Sequence, residues 1–291
     1  MPSSPDVARR LFLPGRVRPL GGTSTVGAGE RVAVGVLLIV VLAALLGPVL
    51  SPYSAIVPSG TPHLPPLSAG HLLGTDELGL DIATRILQGT RTSLVAALVV
   101  TAVSALAGLL IGTLAGFAGG VLDTILMRVT DLFLALPATI VAMAVAAGLG
   151  PGLSSSMIAI SVVWWPLYAR LVRGEVRRQA RALHVEAARM SGTRGLRLVT
   201  RHVLPSVLPT VAVTASLDIG GVIVTVAALS FVGLGAPAPA PELGLMASAG
   251  LQYVVNSWWI PVLPGLMVGL LSLLFNYTGD GLRALLRRKG A

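Results

Sequence analysis

Residues 94–117 read LVAALVVTAVSALAGLLIGTLAGF and contain no charged side chain. A helix crosses the hydrocarbon core of a bilayer with about 20 mostly apolar residues, so this stretch predicts a membrane-spanning helix. Five further mostly apolar stretches predict five more such helices: 32–50, 124–147, 154–171, 207–231 and 258–277. The sequence therefore predicts an all-α integral membrane protein with six transmembrane helices.

The composition supports this class and excludes others. Hydrophobic residues make up 54% of the chain and charged residues only 11%, whereas about 25% charged residues is usual in a soluble domain. So few charges could not solvate the surface of a water-soluble enzyme. A net charge of +9 could indicate a nucleic-acid partner, but six predicted spans exclude that class. The basic residues are therefore expected to lie at a membrane face. The absence of cysteine excludes disulfides, thiol nucleophiles and thiolate metal sites.

The basic residues predict the orientation. With the N-terminus in the cytoplasm, all of the 21 Lys+Arg residues except Arg85 and Arg91 fall on the cytoplasmic side, as the positive-inside rule requires. A signal peptide is the alternative for 32–50, but the preceding tail is long and no A-x-A site follows. The sequence thus predicts a multi-pass protein of the cell membrane with both termini in the cytoplasm (N-in/C-in). Its predicted parts are a cytoplasmic tail over 1–31, a first helix over 32–50, an outer loop over 51–93, a five-helix core over 94–278 and a cytoplasmic end over 279–291. The core includes a cytoplasmic loop over 172–205.

Two features inside the spans invite interpretation. Gly108, Gly112 and Gly116 recur at four-residue spacing, which places them near one face of a helix and favours close helix packing. Asp218 lies near the middle of the fifth span. A charge at that depth costs about 2.5–3.5 kcal/mol on insertion scales, so we expect it to face protein or water. A role in a transport pathway and a hydrogen bond to a neighbouring helix are equally compatible with this position.

The cytoplasmic loop begins with arginines at helical spacing, namely Arg170, Arg173, Arg177 and Arg181. Anionic lipid headgroups are their expected partners. A short helix follows, in which Leu183, Ala187 and Met190 form an apolar face. Gly192 can take the left-handed conformation that ends such a helix. This arrangement predicts a docking element rather than a catalytic site.

The same loop resembles a known family motif. Glu186-Ala187-Ala188, with Gly192 six residues after Glu186 and then His202-Val203-Leu204-Pro205, is similar to the EAA loop of ABC importer permeases. In that family the loop is a coupling helix that sits in a cleft of the cytoplasmic ATPase. The resemblance implies an ATPase-coupling role for Glu186, Ala187, Ala188, Gly192, His202, Leu204 and Pro205.

Further stretches narrow the resemblance, which covers about residues 31–288. The segment GTDELGLD at 74–81 looks like the outer-loop signature of peptide importers, and its signature positions are Gly74, Thr75, Asp76, Gly79 and Asp81. Residues 116–120, 229–235 and 279–283 are also similar to that family. Together they resemble the C-type permease subunit of oligopeptide/dipeptide importers, whose transmembrane domain has the type I ABC importer fold.

The resemblance implies partners rather than chemistry in this chain. ATP and magnesium would be bound by one or two separate cytoplasmic ABC ATPase subunits, since the chain has no Gly-x-x-x-x-Gly-Lys-Ser/Thr phosphate loop. A second homologous permease would form a heterodimer with it, and an extracellular or periplasmic binding protein would deliver peptide. No cofactor and no catalytic residue are expected in this chain, and membrane lipids surround it.

Three alternative functions fit the sequence less well. A secondary transporter would need coupling charges in the membrane, for which Asp218 alone is thin support. An intramembrane hydrolase would need Ser and His within the spans, yet all four histidines fall in loops or at a boundary. A nickel importer, or one for another non-peptide solute, could use His63 and His71. Without further ligands these two are expected to be solvated loop residues, with no metal site.

Overall fold

The computed structural model describes residues 28–289, and within that range the chain is helical, with isolated bridges but no β-strand. The all-α prediction is confirmed. The α-helices of the described residues, in chain order, are α1 (Ala28–Leu50), α2 (Ile82–Ala118), α3 (Gly120–Ala135), α4 (Ala138–Leu149), α5 (Leu153–Gln179), α6 (Leu183–Met190), α7 (Gly195–Leu198), α8 (Leu204–Phe231), α9 (Leu243–Gly250) and α10 (Trp259–Lys289). A π-helical segment, Val199–Val203, joins α7 to α8. The predicted tail over 1–31 lies almost entirely outside the described residues.

Four helical stretches of the described chain are long and apolar enough to cross a membrane: Ile82–Ala118, Leu153–Gln179, Gly195–Phe231 and Trp259–Gly281. The helices α3 and α4 pass the same test only as a pair, which would make a fifth span. The apolar part of α1, Val32–Gly47, is shorter than the others.

The third predicted span is not one straight helix. The sequence predicts a single helix over 124–147, whereas α3 and α4 meet at a bend of 92°. Leu136 is extended, with φ −100° and ψ 147°, and Pro137 precedes α4. The ring of a proline disfavours helical geometry in the residue before it, so the helix ends there and a new one starts. Pro137 is thus the physical reason for the break.

The predicted outer loop over 51–93 also ends earlier than expected, because α2 begins at Ile82. Asp81 caps this helix, and its Oδ2 accepts a hydrogen bond from the Thr84 amide at 2.8 Å. A carboxylate at the first turn satisfies amides that have no partner within the helix. The first turns of α2 are more polar than the apolar part of a transmembrane helix. A prediction from hydropathy alone therefore starts the helix too late.

The helices α2 and α5 pack closely against each other, and the three glycines lie on this contact. A Cβ atom at Gly108 would overlap the Cβ of Tyr168, and one at Gly112 would lie 2.5 Å from the carbonyl oxygen of Ala169. At Gly116 it would lie 2.9 Å from the carbonyl oxygen of Arg173. Only glycine allows the two backbones to approach this closely.

Two apolar cores hold the helices together. The larger one joins α1, α2, α4, α5, α8, α9 and α10, and includes Ile160, Ile223 and Leu271. The smaller one packs the end of α5 against α6, α7 and the start of α8. The smaller core therefore positions the loop that the sequence predicts to be cytoplasmic.

Candidate functional site

The short helix α6 has one face buried in its own chain and another left uncovered. Val185 is 0% exposed and Ala188 is also buried, both in the smaller core. Leu183 is 84% exposed and Met190 is 89% exposed, and Ala187 beside them is exposed too. Leaving large apolar side chains in water is unfavourable, and an exposed apolar patch marks an interaction surface. We call Leu183, Ala187 and Met190 the docking face.

A tight turn ends α6 at Gly192, whose φ is +86°. The Gly192 amide donates to the Arg189 carbonyl at 3.0 Å, and the Thr193 amide donates to the Ala188 carbonyl at 3.0 Å. These two bonds form a Schellman motif, which satisfies the last carbonyls of a helix. The motif needs a residue with positive φ, which glycine adopts without steric cost. Gly192 therefore sets the direction in which the chain leaves α6.

The remaining residues of the predicted coupling motif lie behind α6. His184 Nε2 is 3.3 Å from the carbonyl oxygen of His202, within the π-helical segment. Leu204 begins α8, and Pro205 is the second residue of that helix, directly after the π-helical segment. Glu186 is exposed next to Ala187, which belongs to the docking face. The structure thus brings the motif together as one helix with a rigid support.

An ion-pair cluster joins α3 to α5 beneath this loop. Arg173 donates from Nε to Asp123 Oδ1 at 2.5 Å and from Nη2 to Oδ2 at 2.8 Å. Arg177 donates from Nη2 to Asp123 Oδ2 at 2.5 Å. Nearby, Arg170 pairs with Asp131 at 2.5 Å. We call Asp123, Arg173 and Arg177 the arginine clamp.

The arginine clamp corrects one interpretation of the sequence. Lipid headgroups were expected as partners of Arg170, Arg173, Arg177 and Arg181, but the first three bind carboxylates of α3. Of these four arginines, only Arg181 has no carboxylate partner among the side chains that the structure describes. Helical spacing showed that the arginines share a face, but not that α3 lies opposite them, because that depends on the α3–α5 contact.

The outer signature folds into a compact polar turn. Asp76 Oδ1 accepts from the amides of Leu78 at 2.9 Å and Leu80 at 2.8 Å, and its Oδ2 lies 3.3 Å from Arg85 Nη1. The Thr75 hydroxyl donates to the carbonyl of Thr61 at 2.6 Å. The side chains of Thr75, Asp76 and Arg85 are buried, so their hydrogen bonds fix the shape of the segment.

Glycines complete this turn. Gly74 has φ +78° and Gly79 has φ +74°. A Cβ atom at Gly74 would overlap the carbonyl oxygen of Leu64, and one at Gly79 would overlap that of Gly60. The signature residues are therefore needed for the shape of the outer segment before any contact with a partner.

The expectation that both outer histidines are solvated is wrong for His71. This side chain is 4% exposed, and its Nδ1 lies 2.9 Å from Asp81 Oδ1. Its ring stacks on Tyr53 with centroids 4.8 Å apart. His63 is partly exposed, with Nδ1 3.2 Å from the Ser257 hydroxyl. No group of three or more metal-ligating side chains occurs within the described part of the chain.

Asp218 is partly buried in α8 and lies close to the hydroxyl of Tyr168 on α5. Their geometry falls short of a hydrogen bond, since Asp218 Oδ2 and the Tyr168 hydroxyl are both buried without a partner among the described residues. Tyr168 is fully buried and also faces Gly108. Sequence reasoning missed Tyr168, because only the meeting of three helices brings it to Asp218.

A second buried acid, Glu242, precedes α9. It is 0% exposed, and its Oε2 accepts a hydrogen bond from the Leu245 amide at 2.8 Å. Burial raises the pKa of Glu242, while the nearby amides of Leu245 and Gly244 and the Ser230 hydroxyl act in the opposite direction. Glu242 Oε1 and the Ser230 hydroxyl remain without a hydrogen-bond partner among the described residues. A protonated carboxyl could donate to that hydroxyl.

Comparison with known proteins places this architecture in a family. Residues 108–289 match the family described as "Binding-protein-dependent transport system inner membrane component". The probable D,D-dipeptide transport system permease protein DdpC of Escherichia coli K12 is 41% identical over 229 residues, which cover 79% of this chain and 77% of that protein. The di/tripeptide transport system permease protein DppC of Pseudomonas aeruginosa is 39% identical over 253 residues, covering 85% of this chain and 84% of that protein.

The solved structures show the same fold at lower identity. An inward-facing structure of the MetNI methionine ABC transporter aligns with a TM-score of 0.55 at 20% identity, covering 67% of this chain and 93% of the other. The resemblance of this sequence to ABC importer permeases is confirmed by the family match and by the relatives above 30% identity. The chain is a multi-pass membrane protein that belongs to the family of binding-protein-dependent transport system inner membrane components.

Proposed function

We propose that this chain is the permease subunit of an ATP-driven ABC importer and forms half of a translocation path for peptides. The observation that carries this proposal is the docking face, where two large apolar side chains stand in water on a helix anchored from behind. Such a helix suits a cleft in a partner protein. The peptide substrate is proposed because DdpC and DppC, which cover most of this chain, are named as dipeptide and di/tripeptide permeases.

Force would reach the spans through α6. A cytoplasmic ATPase, one subunit or two, would bind ATP and magnesium and close around the docking face. Val185 and Ala188 connect α6 to α5 and α8 through the smaller core, so a displacement of α6 moves both helices. Interfaces packed at this density switch between discrete arrangements rather than deforming smoothly. The chain itself needs no catalytic residue for this role.

The proposed topology has six spans with both termini in the cytoplasm. Four spans meet the length criterion alone, and the pair α3–α4 and the shorter α1 would supply the others. The excess of arginine in the segments assigned to the cytoplasm favours this orientation. The outer turn around Asp76 would then face the binding protein.

Asp218 is proposed to line the path. A partly exposed carboxylate facing lipid would be costly in the middle of a span, and Tyr168 adds a second polar group at the same depth. The carboxylate of Asp218 would be accommodated at a water-filled lumen shared with a second homologous permease. A carboxylate at this place can attract the ammonium group of a peptide.

The experiment is peptide-stimulated ATP hydrolysis in the reconstituted complex of two permeases, ATPase and binding protein. Glu186→Arg places the wrong charge beside the docking face, and Gly192→Pro cannot adopt the φ of +86° that the turn requires. Both variants are expected to insert into the membrane and to lose stimulation. Unchanged stimulation would contradict the proposal.

A matched pair separates docking from general damage. Met190→Ser removes an apolar side chain from the docking face, and Val255→Ser removes one of the same 89% exposure at the opposite end of the protein. Only Met190→Ser should weaken copurification with the ATPase. Equal loss in both variants would point to misfolding instead.

A further inference from the structure

We propose that a cavity between the end of α5 and α6 binds the phosphate group of an anionic membrane lipid. The cavity has a volume of about 370 Å³ and is lined by Gly116, Arg177, Ala180, Arg181 and Arg189. Three of its five lining residues are arginines: Arg177 at the end of α5, Arg181 in the turn after it and Arg189 in α6. The proposal adds a ligand to the function above, and it depends on the membrane location but not on the solute carried.

The cavity carries uncompensated positive charge. Arg177 shares the carboxylate of Asp123 with Arg173. Arg181 and Arg189 form no ion pair with any carboxylate whose side chain the structure describes. Guanidinium groups bind phosphate oxygens through paired, charge-assisted hydrogen bonds, so converging arginines favour a phosphate over a neutral ligand.

The arginine clamp and a glycine shape the cavity. The bond from Arg177 Nη2 to Asp123, at 2.5 Å, fixes one guanidinium at the cavity wall. Gly116 presents no side chain, and Ala180 presents only a methyl group, so both leave room for a ligand. The tight approach of α2 to α5 at Gly116, where a Cβ would lie 3.0 Å from Val176, closes the inner end.

The surroundings favour a lipid over a soluble phosphate. The cavity lies where the apolar helix α2 ends, and Leu114, Val121 and Leu122 near this end have exposed side chains. Apolar side chains beside a phosphate site match a ligand with acyl chains attached to its headgroup. Basic pockets at the cytoplasmic ends of transmembrane helices are suited to such headgroups.

The test is a titration of the detergent-solubilised complex with phosphatidylglycerol, followed by native mass spectrometry. The variant Arg181→Gln/Arg189→Gln removes the two arginines without a partner. The control Arg194→Gln/Arg197→Gln removes the same charge from exposed positions of the same loop, away from the cavity. Each arginine near an anionic lipid surface contributes on the order of 1 kcal/mol, so the cavity variant should bind about 30-fold more weakly.

The result that supports the proposal is a loss of this size in the cavity variant, with control binding close to that of the unmodified chain. Equal losses in both variants would overturn it, because they would show only a general effect of charge. Binding of inorganic phosphate without retained lipid would overturn the lipid assignment. The lipid assignment would also be overturned if the cavity variant kept its lipid binding but no longer bound the ATPase. Carboxylates of the ATPase would then be the ligands of the two arginines. The titration needs no peptide, so a wrong substrate assignment would not affect it.

Discussion

Single buried polar residues decide much of the outer half of this protein. Asp81 caps α2 and accepts from His71, Asp76 organises the turn before it, and Glu242 caps α9. Each carboxylate satisfies backbone amides that a helix start or a turn leaves without partners. The amide partners of these acids lie only three or four residues further along the chain, whereas the burial of the acids depends on the fold around them.

Glu242→Gln should stabilise the protein at neutral pH and remove a pH dependence. Burial raises the pKa of Glu242, so the folded chain holds the proton more tightly than the unfolded chain. The stability from the protonated carboxyl is present at low pH and decreases as the pH rises from the ordinary pKa of a glutamate to the raised folded pKa. The side-chain amide in Glu242→Gln is neutral at every pH and can always donate a hydrogen bond to the Ser230 hydroxyl.

The measurement is the unfolding temperature of the purified protein at about pH 5 and about pH 8. The gain of Glu242→Gln over the unmodified chain should be larger at the higher pH. Glu77→Gln, at a partly exposed position of the outer segment, serves as a control and should show no such trend. Equal destabilisation by Glu242→Gln at both values would contradict the expectation.

At the scale of helices, α5 connects the main parts of the structure. It packs on α2 through three glycines, binds α3 through the arginine clamp, and supports α6 through the smaller core. Helical periodicity predicted the arginine face and the glycine face of these helices. It could not predict which helix lies opposite, because partners across a bundle are set by packing of side chains from distant parts of the chain.

Asp123→Asn should weaken the attachment of α3 to α5. Asp123 is buried and bound by two arginines that remain partly exposed. We therefore expect a loss of about 1–2 kcal/mol in the free energy of unfolding, below the 3–5 kcal/mol typical when one partner of a fully buried pair is removed. The control Asp131→Asn breaks an exposed pair with Arg170 and should cost about 0–1 kcal/mol.

Chemical unfolding of the two variants in detergent checks this difference. Hydrogen exchange over α3 gives a second measurement, since a weakened clamp should raise exchange there before the whole protein unfolds. If Asp123→Asn and Asp131→Asn lose the same stability, the arginine clamp has no special structural role.

At the scale of the whole molecule, two polar ends face away from each other across an apolar bundle. The outer turn from Ser51 to Asp81 lies at one end, and α6 with the docking face lies at the other. Only the arrangement of all helices places Tyr168 and Asp218 between these ends. Import requires such an arrangement, because a binding protein and an ATPase must act on opposite sides of one membrane.

The chain has no cysteine, so single cysteines report the topology directly. We expect Ser59→Cys, in the outer segment, to react with a membrane-impermeant thiol reagent in intact cells. Thr200→Cys, in the cytoplasmic loop, should react only after the membrane is permeabilised. Both side chains are exposed in the fold, so a reversed pattern would contradict the proposed orientation rather than reflect burial.

The apolar runs, the glycine spacing and the motif over 186–205 are local patterns. From them the sequence by itself determined that the chain is a helical membrane protein, and it predicted a docking helix. Local patterns suffice because, in lipid, backbone polar groups must be satisfied within each helix. Only the tertiary structure decided the burial of His71 and the clamp on Asp123. These features depend on contacts between distant segments, and a buried charge finds its partner only once the helices around it are packed.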